Sequence, residues 1–498
     1  MPTPTAEPGG PALSPVVEPI EAELSQAFDL VVIGGGIYGV AALLEAGRRG
    51  LKALLLEADD FGGGVSWSSH RIIHGGLRYL QSLDFARFRA SVRERRWFME
   101  TFPHAIEPLQ CLVPLSGRGT RRPSLFACAS MMNNGLNSLF GGSTKRLGPA
   151  QLLPKRELGD AAPAVSLDDI RGVGSWYDGH MTSSERVLIC MLRAACDLGG
   201  RALKGARVFG AEAGQPIRVR VQHHDGREVS IEARRVVNCA GPASGAVAAA
   251  FGGTYQPLFE PMRAFNVLLD VEPQLSAAIA LDVASLDGRM LFVVPGQAGL
   301  AIGTWEEPAD GDVSPTRESM ERLLEASCEV LGRRDLTFDR VSAVWSGLLP
   351  RAAGGELSPS DRPVIVDHGK AGGIPGAFSV SGVKYTTARE VADRVVGLAF
   401  PASRVAGDLE PVSEPLLRPD WLTAPPDQAE TEVLVRKMIR DEAASTVDDV
   451  CRRRTAWYTS PSRLRAVASA IGSAFGMNSE QAADAVEASI AAARAVRG

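Results

Sequence analysis

Paired cysteines are missing from this 498-residue chain: its seven are odd in number, widely scattered and nowhere spaced C-x-x-C. That pattern argues against a disulfide scaffold, a structural zinc or an iron–sulfur cluster, and a reducing cytoplasm is the compartment that fits. No uninterrupted apolar run reaches the roughly 18 residues that a membrane-spanning helix needs, which leaves peripheral membrane contact open. Positive charge is not in excess either. The formal net charge is -5, so no global basic field exists and nucleic acid is not expected as a principal partner. Residues 1–27 are rich in Pro, Ala and Glu, lack the basic start and apolar core of a secretory signal, and read as a disordered tail. No internal repeat is visible. What remains is 45% hydrophobic and 22% charged, the composition of an ordinary globular protein, and the length implies two or three domains.

The first ordered segment carries the strongest local signal. Phe28 to Ile33 (FDLVVI) is a short, β-branched apolar run of the kind that forms a buried parallel strand. Gly34-Gly35-Gly36-Ile37-Tyr38-Gly39 follows, then a helical stretch through Arg49 that stops at Gly50, and a second buried strand from Lys52 to Leu56 that closes on Glu57. In a G-x-G-x-x-G turn of this kind Gly34 permits the sharp exit from the strand and Gly36 lets the backbone approach a pyrophosphate. Gly39 lets helix and strand pack closely. Helix N–H groups favour the diphosphate, and Glu57 is placed to accept hydrogen bonds from a ribose diol. Strand, glycines, helix and terminal acid occur together, as a dinucleotide site requires. The glycines alone do not decide between NAD and FAD.

Further along, Ile217–Val221 and Val229–Ala233 alternate on either side of His224-Asp225-Gly226, which predicts a hairpin, and Arg235–Cys239 predicts another buried strand ending at Ala240-Gly241-Pro242. Beyond residue 410 a proline-rich connector leads into three helical segments. Thr446 with Asp449 resembles a capping box, and Ser460-Pro461 and Gly476 mark the start and end of a helix. The Arg452-Arg453-Arg454 run reads as a solvated helix face, with contact to an anionic membrane surface as the sharper alternative. His223-His224 reads as a surface pair rather than a metal site, because no ligand-spaced carboxylate or cysteine accompanies it; no metal is expected.

The segment Arg71-Ile72-Ile73-His74-Gly75-Gly76-Leu77-Arg78-Tyr79-Leu80, together with the glycine turn and Glu57, resembles the FAD-dependent glycerol-3-phosphate dehydrogenase family, within the wider group of flavin amine and hydroxy-acid oxidases. The resemblance extends through Val236–Pro242, Phe292–Pro295 with Ile302-Gly303-Thr304, and Ser381-Gly382-Val383-Lys384-Tyr385-Thr386-Thr387, which is similar to a family segment written G-G-K-x-T-T. It reaches the helical region from Val435 to Tyr458. It implies an α/β fold: a Rossmann-type FAD-binding domain interleaved with an antiparallel-sheet substrate domain over 28–410, and a small all-α C-terminal domain over 411–498. It also implies FAD as cofactor, held by Gly34, Gly36, Gly39, Glu57, Ser66, Ser69, Gly75, Gly76, Gly241, Gly382, Lys384, Thr386 and Thr387. Ser68 lies in the same cofactor loop.

Oxidising a secondary alcohol by flavin moves a hydride from carbon to N5 and removes the hydroxyl proton. A base near the hydroxyl and positive charge for the developing alkoxide are then needed. The resemblance puts His74 in the place of the base. Arg78 would supply a charged planar fork for alkoxide or phosphate, Tyr79 would orient either group, and Lys384 with its helix start would stabilise the reduced flavin. Leu349 stands where the family's G-x-R-P segment has a phosphate-binding arginine, and Arg351, two positions later, is the replacement candidate. His70-Arg71-Ile72-Ile73-His74 replaces S-K-L-I-H, and Trp305 follows Gly303-Thr304 where relatives often carry a smaller residue.

The leading expectation is an enzyme oxidising sn-glycerol 3-phosphate to dihydroxyacetone phosphate, with a quinone or oxygen as electron acceptor, located in the cytoplasm or on the inner face of the membrane. A homodimer is left open. One alternative is a flavin dehydrogenase or oxidase acting on another polyol phosphate, a hydroxy acid or an intermediate of specialised metabolism; another is a non-catalytic flavin-binding subunit.

Overall fold

A computed structural model describes residues 26–81, 84–139, 146–253, 258, 260–283, 289–296, 298–309, 311–351, 359–360, 362–382, 384–407, 409–412 and 419–497. Strand β1 (Phe28–Ile33) has parallel neighbours on both sides, which is why both of its faces are buried and its residues Leu30, Val31 and Val32 are all apolar. The sheet runs in the order Val364–Asp367, Ala377–Ser381, Glu228–Asn238, β1, β2 (Ala53–Leu56), Arg201–Leu203. Helix α1 (Ile37–Gly47) follows β1 and packs between two other helices, Ser184–Asp197 and Ala388–Ala399, so it is apolar nearly all round. It closes two residues earlier than the sequence suggests: Arg48 and Arg49 form the exit turn, and Gly50 takes φ +66° as the predicted stop.

The predicted hairpin is present, with Ile217–His223 antiparallel to the following strand and Gly226 at φ +87°. The two strands expected after it are one, Glu228–Asn238. No breaker separates Ala233 from Arg235, so the chain stays extended and exchanges its hairpin partner for the parallel neighbours β1 and Ala377–Ser381.

A second, nine-stranded sheet, mostly antiparallel, runs Val341–Pro350, Pro261–Leu269, Gly299–Pro308, Arg289–Gly296, Ala278–Val283, Ile106–Leu115, Gly172–Met181, Ile72–Ile73, with Gln151–Leu153 also on Gly172–Met181. Its core of Phe265, Val267, Ile279, Val293 and Ile302 packs against helix Arg317–Leu331. The shortest strand matters most for the site. Ile72 lies opposite His180 and Ile73 opposite Gly179, a register that carries the next pair, His74 and Asp178, together.

The C-terminal helices Gln428–Glu442, Pro461–Ala466, Ala468–Ala474 and Ser479–Ala493 enclose a core around Trp457, Leu434, Met438, Ile471 and Ile490. Thr446 and Asp449 do cap reciprocally, Asp449 N–H to Thr446 Oγ at 3.0 Å and Thr446 N–H to Asp449 Oδ2 at 3.2 Å, though the turn they open (Asp449–Arg454) is π-helical. The arginine run in that turn is not a solvated face. Arg454 is fully buried and grips Asp60 through two bonds of 2.7 and 2.8 Å, while Arg452 pairs with Asp448 and lies over the Trp67 ring. Burial of the charge is tolerated because every Arg454 donor group is satisfied, two more bonds going to the Glu442 carbonyl. Arg186 with Glu442, and Tyr458 with Glu185, Arg71 and Trp345, complete the docking of this domain onto the rest of the chain.

Candidate active site

The glycine turn has the geometry its motif requires. Gly34 sits at φ +102°, where a Cβ would lie 2.6 Å from the Cys239 carbonyl oxygen, and a Cβ on Gly39 would lie 1.8 Å from the Gly34 carbonyl oxygen. Gly36 differs. An added Cβ there meets only the Ser66 hydroxyl, at 3.1 Å, so the outer side of the turn is an open cradle beside the start of α1. Ser66 Oγ accepts the Ile37 N–H at 2.9 Å, which places the 65–69 loop over the same helix start. At the end of β2, Glu57 accepts the N–H groups of Gly35 at 2.6 Å and Asp59 at 2.8 Å. Burial pushes its carboxyl above the usual range against the pull of those two donors. Gly241, at φ +55°, turns the chain out of the neighbouring strand end. The residues present therefore fit a dinucleotide: a cradle at Gly36 that only the Ser66 hydroxyl approaches, the start of α1 beside it and a terminal acid.

Tyr38, unremarked in the sequence, joins this turn to the late segment. Its hydroxyl donates to the Lys384 carbonyl at 2.8 Å and accepts the Lys384 N–H at 3.0 Å. Its ring lies where a Cβ on Gly382 would be, 1.9 Å from the Cζ atom, which explains that glycine. Lys384 Nζ in turn hydrogen-bonds the Tyr79 hydroxyl. Thr386 Oγ accepts the His74 N–H at 3.2 Å, and Thr387 Oγ donates to the Lys384 carbonyl at 3.4 Å. Thus Tyr38, His74, Tyr79, Lys384, Thr386 and Gly382 converge from three distant stretches of chain. The Arg78 side chain lies outside the described residues.

Other expected residues serve different ends. Ser69 Oγ accepts the N–H of Arg71 within its own turn, and Ser68 Oγ donates to the Ser346 carbonyl at 2.8 Å, tying the loop to the second sheet. Gly75 and Gly76 pack against helix Phe85–Thr101: a Cβ on Gly75 would fall 2.0 Å from Arg95 Nη1, and one on Gly76 2.9 Å from Ser91 Cβ. Arg351 leaves the end of strand Val341–Pro350, its N–H donating to the Glu260 carbonyl at 2.8 Å, and Leu349 pairs with Met262 on the adjacent strand.

Around the His74 imidazole, which is 53% exposed, lies a set of groups that the sequence reading did not single out. His74 Nδ1 is 3.2 Å from Asp178 Oδ2; Gly75 N–H donates to Asp178 Oδ1 at 2.7 Å, and Trp176 Nε1 to Oδ2 at 3.2 Å. Arg95 lies 3.3 Å away and also donates to the Tyr177 carbonyl at 2.6 Å. Burial pushes the Asp178 carboxyl up, but the hydrogen bond and charge of His74, then Arg95 and the Gly75 amide, outweigh it and hold the pKa down at about 2. Phe292 meets both His74 and His70 edge-on. Burial, reinforced by His74 and His180, drives His70 down to about 3, and burial with the nearby Arg71 drives His180 to about 4. Both are neutral imidazoles near pH 7. The one sequence-level sign of this wall is the alternation Trp176, Asp178, His180 on one face of a strand.

A sequence model of the family described as FAD dependent oxidoreductase matches residues 29–395. The chain belongs to that family. It is an enzyme, and its cofactor is FAD. The chain is 28% identical over 393 residues to a glycerol-3-phosphate dehydrogenase of Synechocystis sp., covering 75% of this chain and 70% of that protein. To an alpha-glycerophosphate oxidase of Enterococcus casseliflavus it is 29% identical over 342 residues, 67% of this chain and 56% of the oxidase. The fold is that of a glycerol-3-phosphate dehydrogenase from Bacillus halodurans solved in complex with FAD, at TM-score 0.69 and 20% identity, over 94% of this chain and 95% of that one. Among the described residues no helix is long and apolar enough to cross a membrane, and no group of three or more His, Cys, Asp or Glu could hold a metal ion.

Proposed function

We propose that this flavoprotein oxidises the secondary alcohol of sn-glycerol 3-phosphate to the ketone of dihydroxyacetone phosphate. The observation that supports it most is the half-exposed His74 imidazole, backed by a buried carboxylate and adjoining the Lys384–Tyr79 pair, in a chain whose relatives carry glycerol-3-phosphate dehydrogenase names. Gly34, Gly36, Gly39, Ser66 and Glu57 would hold the dinucleotide, with Gly382, Lys384 and Thr386 contributing from the late segment. FAD, when bound, supplies the acceptor for the hydrogen and two electrons that leave the carbinol carbon. His74 Nε2 takes the hydroxyl proton, so the alcohol loses one proton to the protein and one hydride equivalent to the cofactor. Arg78 and Tyr79 hold the developing alkoxide, and Arg351 binds the phosphate in place of the arginine replaced by Leu349.

Anaerobic mixing with sn-glycerol 3-phosphate should bleach the yellow holoprotein. His74→Asn should bleach at least about 100-fold more slowly with FAD still bound, since a positioned base contributes factors of this order. Bleaching by other polyol phosphates or hydroxy acids alone would transfer the same chemistry to a different substrate. The identical rate in His74→Asn would remove the histidine from the reaction.

We also infer that the enzyme works at an anionic membrane surface with a quinone as acceptor. In a chain of net charge -5, residues 108–156 contain seven Lys or Arg and no Asp or Glu. Within them helix Pro123–Leu139 has no charged residue and presents Leu125, Met131 and Leu139 outward, Met131 at 68% and Leu139 at 75% exposed. The inner side of the same helix packs Leu136 on the cluster of Leu80, Phe88 and Val92, against which Tyr79 also packs. Sedimentation with phosphatidylglycerol vesicles, but not with phosphatidylcholine, is expected, and Met131→Asp/Leu139→Asp should abolish it; equal binding to both vesicle types or to neither would refute the inference.

A further inference from the structure

We propose that Asp178 is a positioning residue for His74: its buried carboxylate fixes the imidazole with the proton on Nδ1 and leaves Nε2 bare, as a base requires. This rests on the assignment of His74 as the base in the reading above, and its geometry is independent of which alcohol is oxidised. An imidazole free to rotate presents either nitrogen and either tautomer, and half of those states offer the substrate an N–H rather than a lone pair. Asp178 removes that freedom, because an ionised carboxylate accepts hydrogen bonds and donates none.

The surroundings of Asp178 are built to keep it ionised and still. Asp178 itself is only 3% exposed. Oδ1 takes the Gly75 N–H and the Arg95 guanidinium, while Oδ2 takes Trp176 Nε1 and His74 Nδ1. Four donors from three parts of the chain aim at one carboxylate, which leaves the side chain no other rotamer with its lone pairs satisfied. The cage also accounts for Gly75. Arg95 passes through the space that a Cβ there would occupy, 2.0 Å from Nη1, so any side chain at position 75 would expel the arginine or the amide from the carboxylate. The glycine after His74 therefore shapes the support of the base, in addition to any contact with cofactor.

When His74 accepts a proton on Nε2 it becomes an imidazolium 3.2 Å from that carboxylate. The other charged or titratable groups about His74 are His70 on the preceding loop, His180 on the Asp178 strand, Lys384 with Tyr79 across the site, and Arg95 behind the carboxylate. His70 and His180 are neutral in the working range.

The test is Asp178→Asn in the FAD-loaded protein, read first without substrate. With only seven histidines in the chain, ¹⁵N-labelled imidazole signals can be resolved individually, and those of His74 are assigned by their loss in His74→Gln. The ¹⁵N shifts distinguish the protonated ring nitrogen from the bare one, and His74 should carry its proton on Nδ1 in the unmodified protein. The amide nitrogen facing Nδ1 in Asp178→Asn should switch the tautomer, as is known when a histidine-orienting aspartate becomes asparagine. Flavin reduction by sn-glycerol 3-phosphate should slow about 100-fold or more, with KM little changed. Trp176→Phe removes one competing donor and keeps the fold near Asp178; its His74 should keep the proton on Nδ1. An Nε2–H tautomer in the unmodified protein or in Trp176→Phe overturns the proposal, whether or not Asp178→Asn loads FAD. An unchanged tautomer in a loaded Asp178→Asn overturns it as well. Failure of glycerol 3-phosphate to reduce the unmodified enzyme refutes the substrate reading alone, because the tautomer measurement does not use it.

Discussion

Replacing Arg454 by Met should show how far the cofactor loop depends on the C-terminal helices. The Arg454 side chain is wholly buried and makes four hydrogen bonds, two to Asp60 at 2.7 and 2.8 Å and two to the Glu442 carbonyl at 3.0 and 2.9 Å. Methionine fills much of the same volume, so cavity formation is minor and the cost is that of stranding Asp60. Lys204, 3.4 Å away and already 2.7 Å from Asp449, remains as a cation beside it, and the charge of Arg453 also acts on Asp60. Breaking a buried pair by removing one partner costs about 3–5 kcal/mol, and Lys204 should hold the loss near the lower end, about 3 kcal/mol. Asp60→Asn strands the arginine in the same way, with Asp449 as its partial compensation. The double variant strands neither charge, so its loss should fall short of the sum by about 2 kcal/mol or more. Urea unfolding of holo and apo protein, followed by near-UV signal and flavin fluorescence, measures all three. Asp60 stands three residues after Glu57, so the single variants should also weaken FAD binding measurably. A loss below about 1 kcal/mol for Arg454→Met, or a double variant additive within about 0.5 kcal/mol, would refute the claim that this pair carries the docking.

Three other outcomes are expected. Gly382→Ala places a Cβ 1.9 Å from the Tyr38 ring, and overpacking of this kind costs about 1–3 kcal/mol; since the displaced ring also releases the Lys384 backbone, FAD affinity should drop about tenfold, and an unchanged dissociation constant in a fluorescence titration would contradict this. Leu349→Arg restores one charged hydrogen bond to the expected phosphate pocket, worth about 1.5–3 kcal/mol, so the KM for glycerol 3-phosphate should fall by about tenfold or more; no change in steady-state assays would place the phosphate elsewhere. Stability should fall as pH drops below about 6.5, earlier than carboxylates would dictate. His70 and His180 keep folded pKa values of about 3 and 4, below the unfolded value, so between those limits the unfolded chain binds protons that the folded chain refuses. Stability is complete above the unfolded pKa and declines by up to about 1.4 kcal/mol per pH unit for each histidine as pH falls. Urea midpoints at pH 7.5, 6.5 and 5.5 should show the slope, and His70→Gln should flatten it.

The glycine turn was legible because everything it needs lies within thirty residues: a strand, three glycines, a helix and an acid, each required for a local reason. Gly34 and Gly39 have the crowded turn geometry that reading needs, while Glu57 accepts the Gly35 and Asp59 N–H groups. Asp178 was not legible. It lies 104 residues from His74, and only the register of a two-residue strand brings them together; a slip of one residue would set Tyr177 or Gly179 opposite the histidine instead. Arg454 was misread for the same cause, since a run of three arginines looks alike whether it faces water or an aspartate 394 residues away. Gly75 joins the two cases. Its place in the motif was plain, but what it accommodates, the Arg95 guanidinium crossing to Asp178, is visible only once helix Phe85–Thr101 and strand Gly172–Met181 are in position. The glycine turn is thus written in contiguous chain, whereas the support proposed for His74 as a base is set by strand register. A substitution that shifts the Ile72–Ile73 pairing should therefore abolish proton transfer while FAD stays bound.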